Sequence, residues 1–182
     1  MKKIVSYIPQ SDGYLNRSVR ENMRMVKPDA TDEQIRIALK YAKILKTVDG
    51  KGGLDIVVGN SGSTFSGGER HRIGLARAFL GIAPVMVFDE PTGDLDVDTA
   101  KEIIQSIKRI TRGKTAIIVT HAPLDALEFD RVIVMKKGKI VEDGNPLDLQ
   151  KSGGEFSKML DKSVGKITGS LAIIQKSRIR QK

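Results

Sequence analysis

The sequence contains no cysteine, which excludes disulfides and thiolate metal sites and removes any pointer to an oxidising compartment. It also lacks a membrane-length apolar run. Residues Ala78 to Phe88 are uncharged throughout, but Pro84 interrupts them and they fall well short of the roughly 20 residues a spanning helix needs. The opening residues are not expected to act as a secretory leader. Met1-Lys2-Lys3 mimics its basic start, yet only Ile4 to Ile8 follow before Pro9, against an apolar region of about 7–15 residues. Internal repeats and low-complexity tracts are absent. The expectation is a soluble, cytoplasmic chain. Its 182 residues, 40 % hydrophobic and 29 % charged, suit one globular domain with a real core.

Acidic residues are scarce in one place. Lys162, Lys166, Lys176, Arg178, Arg180 and Lys182 follow Asp161 with no carboxylate among them. They account for most of the net charge of +9, so residues 1–161 are only mildly basic. Residues 162–182 therefore read as a solvated, mobile tail rather than a nucleic-acid or lipid surface, and nucleic acid is not expected as a partner.

Hydrophobic periodicity sets the order of elements. Lys3 to Ile8 reads as a short strand and Val19 to Met25 as a short polar helix. Thr31-Asp32-Glu33-Gln34 is a capping-box pattern, after which Ile35, Ala38, Leu39, Ala42 and Leu45 share a helical face. Gly50 to Gly62 reads as loop. Ser66-Gly67-Gly68-Glu69 is a second capping box, opening a helix with the stripe Ile73, Ala76, Phe79 and Leu80. Val85 to Phe88 and Thr115 to Thr120 are unbroken apolar runs, as in strands buried on both faces. Between them Val97, Ala100, Ile103, Ile104, Ile107 and Ile110 mark a helix that Gly113 ends. Arg131 to Met135 and Lys139 to Val141 flank a Lys137-Gly138 hairpin turn, and short helices over 147–150 and 155–160 close the body. Alternating strands and helices argue an α/β fold with a mostly parallel sheet, whose ligands gather at the strands' C-terminal ends.

Chemistry concentrates where the run Val85-Met86-Val87-Phe88 ends in Asp89-Glu90. A carboxylate at the end of a buried strand suits magnesium, a hard cation that prefers oxygen ligands. A second carboxylate one residue on can take a proton from an attacking water. This is the Walker B arrangement of nucleotide hydrolases. Upstream, Ser66-Gly67-Gly68-Glu69 offers amides and a hydroxyl to an anion at a helix start. His71 reads as an exposed polar residue.

S-G-G-E-R-H-R-I-G-L-A-R-A-F-L resembles the signature helix of ATP-binding cassette (ABC) transporter ATPases, and the resemblance continues in order along residues 3–160. Val5 to Gln10 resembles the Q-loop strand and its glutamine, and Ser18 to Asn22 the segment that follows in exporters. Gly53-Leu54-Asp55 with Val58-Gly59-Asn60-Ser61-Gly62 resembles the exporter loop G-L-D-T-x-V-G-E-x-G. Pro91-Thr92-Gly93-Asp94-Leu95-Asp96 resembles the D-loop, Thr120-His121 the switch histidine, and Gly138 to Gly144 the closing hairpin. Phe65 and Glu69 depart from the usual leucine and glutamine, and Gly93-Asp94 from the Ser-Ala of exporter D-loops.

The resemblance implies a P-loop NTPase-like fold, with a helical subdomain of about residues 18–80 set into an ATPase domain spanning 1–161. It implies ATP and Mg2+ as cofactors, a second ABC ATPase domain as head-to-tail partner, and transmembrane domains that hold the chain peripherally at the cytoplasmic face of a membrane. Glu90, His121 and Gln10 would be catalytic, and Asp89 and Gln10 would serve the metal. Ser66, Gly67, Gly68 and Glu69 would meet the nucleotide, with Asp96 linking two sites. A G-x-x-x-x-G-K-[ST] phosphate loop is not found. Gly113-Lys114-Thr115 has Lys108 where the first glycine belongs, and it runs from helix into strand. From this the chain is expected to be an N-terminally truncated C-terminal portion that lacks Walker A and is inactive alone. Two other classes compete with an ATPase part. One is a non-hydrolysing module that lends Ser66-Gly67-Gly68 to an intact partner; the other is a DNA-maintenance ATPase, disfavoured by the absence of heptads.

Overall fold

In the computed structural model, residues 4–9, 16–59, 64–93 and 95–163 are described. They belong to two units, Met1–Val119 and Thr120–Lys182. In the first unit three strands form a parallel sheet in the order β1-β2-β3: β1 is Val5–Ile8, β2 Val85–Asp89 and β3 Thr115–Val119. The register sets Ser6 beside Met86 and Ala116, and Ile8 beside Phe88 and Ile118. On that face Ile8, Met86 and Phe88 are buried.

The helices of this unit are built from local signals. Three of them begin in a complete capping box: Ser18 with Glu21 on α1 (Val19–Arg24), Thr31 with Gln34 on α2 (Asp32–Tyr41), and Ser66 with Glu69 on α4 (Gly67–Leu80). Each box satisfies amides that a helix start otherwise leaves orphaned. α2 packs on α4, burying Ile35, Ala38 and Leu39 against a helix whose Ile73, Leu75, Ala76 and Phe79 are buried in turn. Phe79 meets Phe88 of β2 with ring centroids 6.3 Å apart and planes at 55°, so α4 is seated on the sheet. Each fully buried side chain of this size contributes about 1.5–3 kcal/mol. α5, Val97–Ile110, buries Ile103, Ile104 and Ile107, while Val97 at its start is exposed.

The helical face expected to run from Ile35 to Leu45 is broken. Lys43 takes φ +56°, and the Ile44 amide donates to Leu39 O and the Lys43 amide to Lys40 O, at 3.0 and 3.1 Å. This is a Schellman ending with lysine where glycine is usual. A new helix, α3 (Leu45–Gly50), follows, then a 3₁₀ turn over Gly53–Asp55. Asp55 is held by Arg20 through two 3.0 Å hydrogen bonds.

In the second unit, α6 (Pro123–Ala126) precedes an antiparallel hairpin of β4 (Val132–Lys136) and β5 (Lys139–Gly144), and α7 (Pro146–Lys151) follows it. Lys137 and Gly138 take φ +51° and +73°, as a two-residue hairpin turn of the type I′ form requires. Val132, Val134, Phe156 and Leu160 form the unit's core, with Leu124, Leu127 and Leu149 packed against it. Residues 155–163 are helical, and the Glu142 carboxylate accepts the Glu155 and Phe156 amides at 2.9 and 2.8 Å.

Three expectations are corrected. The strands are mixed, parallel in the first unit and antiparallel in the second, rather than mostly parallel. The N-terminal region, expected to be incomplete, is structured: β1 is paired along its length, and α1 and α2 are capped and packed. A missing sequence pattern says nothing about whether the elements present have formed. Finally, the runs at 85–88 and 115–120 are not buried on both faces. Tyr7, Ile117 and Val119 lie 57 %, 49 % and 51 % exposed on the face opposite Phe88, so among the described residues that side of the sheet is largely uncovered. The last part of the tail, residues 164–182, lies outside the described residues.

Candidate nucleotide-hydrolysis site

β2 delivers Asp89 as its last residue and Glu90 immediately after it. The Asp89 side chain is half-buried, and Tyr7 Oη donates to its Oδ2 at 2.9 Å. This bond is diagonal across adjacent parallel strands, because Tyr7 is in register with Val87, two residues earlier on the same face. The carboxylate it faces holds the Tyr7 phenol above its ordinary value. Glu90 adopts φ +48°, in the left-handed region that a residue with a long side chain rarely enters. Its amide donates to Val119 O of β3 at 2.8 Å, which fixes the chain as it leaves the sheet. A tight turn follows, with the Gly93 amide donating to Glu90 O at 3.1 Å. A Cβ on Gly93 would lie 3.3 Å from that carbonyl. Backbone strain held in place by its surroundings is a recurrent property of reacting sites.

Two further groups frame this turn. His71 Nε2 donates to Pro91 O at 3.2 Å, tying α4 to the segment after Glu90. His71 is therefore half-buried and engaged, not the exposed residue expected; only the fold, by bringing α4 against this segment, reveals it. Asp96 Oδ1 accepts the Thr99 amide at 2.9 Å and caps α5. That amide holds the Asp96 carboxyl below its ordinary range.

The serine–glycine turn lies at the surface. Ser66 and Gly67 are exposed, and Gly68 and Glu69 half-buried. Ser66 Oγ accepts the Glu69 amide at 3.2 Å, and Glu69 Oε2 accepts the Ser66 amide at 2.7 Å. The Ser66 hydroxyl hydrogen is not consumed by this box, because Oγ acts there as acceptor. A Cβ on Gly67 would meet nothing within 4 Å, so packing inside the molecule does not require glycine there. Such open amides at the first turn of a long helix suit an approaching anion.

His121 follows β3 by two residues and is exposed in the second unit; next to it, Thr120 Oγ1 accepts the Ala122 amide at 3.0 Å. Gln10 and Asp94 lie outside the described residues. Gly113, at φ +74°, sits past the end of α5, and Lys114-Thr115 lead into β3. Among the described residues no cluster of three His, Asp or Glu side chains is arranged to hold a metal. The residues present are compatible with magnesium nonetheless, since it is commonly held by one or two carboxylates together with substrate phosphates, and Asp89 offers a carboxylate oriented by Tyr7. No described helix is long and apolar enough to cross a membrane.

Comparison with known proteins agrees with this geometry. A profile of the ABC transporter family matches residues 1–93. Over 164 residues, 90 % of this chain, the sequence is 37 % identical to the beta-(1-->2)glucan export ATP-binding/permease protein NdvA of Agrobacterium vitis. It is 36 % identical over 155 residues to an ABC transporter ATP-binding protein of Haemophilus influenzae. The chain spans 28 % of the length of each of these relatives. Among solved structures, a bacterial Atm1-family ABC exporter with ATP bound superposes with a TM-score of 0.82 at 26 % identity, covering 88 % of this chain and 28 % of the exporter chain.

These findings correct the expectation of an inactive, Walker A-less C-terminal fragment. The family profile covers residues 1–93, and the likeness to an ATP-bound exporter extends over 88 % of the chain; none of these matches supports a disabled piece or a non-hydrolysing module. That expectation rested on failing to find one short pattern, which is not an observation of activity. With a family profile matched over residues 1–93, a stretch that takes in the serine–glycine turn, Asp89 and Glu90, the chain belongs to the ABC transporter family.

Proposed function

We propose that this protein hydrolyses ATP to drive transport across a membrane, as an exporter-type ABC ATPase. One observation carries the reading: Glu90 is held at φ +48° by the Val119 carbonyl, directly beside the oriented carboxylate of Asp89. In the proposed reaction Glu90 orients water and receives its proton as the water attacks the γ-phosphorus. Asp89 would hold Mg2+, which when bound neutralises charge on the phosphate oxygens. Ser66, Gly67 and Gly68 offer a hydroxyl and open amides to the γ-phosphate of a nucleotide held by a second ATPase domain, with Glu69 bracing the turn. By resemblance, His121 would hydrogen-bond the γ-phosphate, Asp96 would connect the two sites, and Gln10 would sense metal and water.

Likeness to an ABC exporter supports two partners in this reading, a second ABC ATPase domain packed head to tail and transmembrane domains. With those transmembrane partners, the chain would sit peripherally at the cytoplasmic face of a membrane. Residues 1–161 would form the ATPase domain, with about 18–80 as its helical part. Export as the direction is supported by the names of the relatives and by the exporter-like loop before the signature turn.

The test is phosphate release from MgATP by the wild-type protein and by Glu90→Gln. The substitution keeps the side chain's shape and removes its basicity, so release is expected to fall about a hundredfold or more with MgATP binding retained. Equal release by both proteins, or no MgATP binding by either, overturns the reading.

A further inference from the structure

We propose that Lys51 is a positioning residue for the signature turn, cancelling the charge of Glu69 and pinning the loop that presents Ser66, Gly67 and Gly68 to a phosphate. The inference rests on the signature reading above. Its starting point is that the two side chains departing from the family's usual pattern at this helix, Phe65 and Glu69, meet the same cation. Lys51 Nζ stands 5.4 Å from the centroid of the Phe65 ring and 3.7 Å from Glu69 Oε2. It also donates to Thr64 O at 2.7 Å.

Each contact answers a physical need. Glu69 holds the Ser66 amide as a glutamine oxygen would, but it brings a full negative charge to a turn that must receive a triphosphate. Like charges at such range repel, and more strongly where water is partly excluded. Glu69 is 20 % exposed and Lys51 35 %, so the pair is partly desolvated and is screened less than a surface pair. Phe65, 1 % exposed, presents a ring whose quadrupole attracts the ammonium; leucine has no such quadrupole. The bond to Thr64 O fixes the chain two residues before Ser66. Lys51 itself caps the C-terminal end of α3, so the cation is anchored on an element outside the signature helix. The turn thus tolerates an acid in place of the amide because a lysine, an aromatic ring and a carbonyl are arranged around it.

The test compares Lys51→Met, Lys51→Arg and Lys51→Met combined with Glu69→Gln. The readouts are MgATP affinity, KM and kcat for phosphate release, and thermal stability. Methionine keeps the apolar stem over Phe65 and removes only the charge. Lys51→Met is expected to weaken MgATP affinity and raise KM about fivefold, with a smaller change in kcat and a melting temperature close to wild type. Lys51→Arg is expected to retain most of the affinity. In the Glu69→Gln background the same Lys51→Met change is expected to cost under about twofold. A penalty that is equal in both backgrounds means Lys51 serves the fold alone, and sinks the inference. Ser66→Ala separates the two readings. If it impairs the MgATP response while Lys51→Met does not, only the lysine's role fails. If it leaves the response intact, the signature reading fails and this inference falls with it.

Discussion

Glu90 shows how much a single residue can be asked to do. Its left-handed backbone, its amide bond to Val119 O and the tight turn to Gly93 together aim one carboxylate. Gly93→Ala would set a methyl 3.3 Å from the Glu90 carbonyl, so the turn must open by a few tenths of an ångström. Phosphate release is expected to drop about tenfold while the denaturation midpoint moves little; equal losses in both would show that the turn serves the fold alone. At this scale the run of four apolar residues read as a strand ending at Asp89 and Glu90, and β2 does end there. The sequence said nothing of Tyr7, and it misplaced His71 as an exposed residue. Their bonds to Asp89 and Pro91 depend on strand register and on α4 lying against the turn after Glu90, relations set by tertiary packing rather than by neighbours in the chain.

Among elements, what could be read early was what is encoded locally. The capping boxes at Thr31 and Ser66 and the Lys137-Gly138 turn all stand where the pattern put them, since each depends on residues three or fewer apart. The break at Lys43 could not be read, because lysine carries no intrinsic bias toward positive φ; buried Leu39 and Ile44 on either side of the turn impose it. The hairpin of the second unit offers a sharper case. Glu142 reaches across to accept two amides at the start of the helix over 155–163, and a Cβ on Gly154 would run into that carboxylate. Gly154→Ala is therefore expected to lower the stability of this unit by about 1–3 kcal/mol. Glu142→Gln should recover little of it, because the steric conflict remains. Denaturant titration of the three proteins checks this.

For the molecule as a whole, ion pairs and caps predict how stability responds to acid. Arg20 holds the Asp55 carboxyl below its ordinary value, the Thr99 amide does so for Asp96, and Arg131 for Asp143. When the folded-state value is depressed, the unfolded chain takes up protons first. The contribution is therefore present above the ordinary value of 3.8 and is lost as pH falls below it through the folded-state value. Denaturant midpoints followed from neutral to about pH 2.5 should decline mainly below pH 4, and Asp143→Asn should flatten part of that decline. The hardest feature to foresee was the open side of the sheet. Apolar runs such as Thr115 to Thr120 look alike whether one face or both are covered, since Ile117 and Val119 are the same residues in either setting. The consequence is thermodynamic. A sheet already wet on one side has less hydrocarbon left to hydrate on unfolding. The heat-capacity increment should accordingly fall below the roughly 12–15 cal/mol/K per residue typical of globular chains, giving a broad, shallow dependence of stability on temperature that calorimetry can measure.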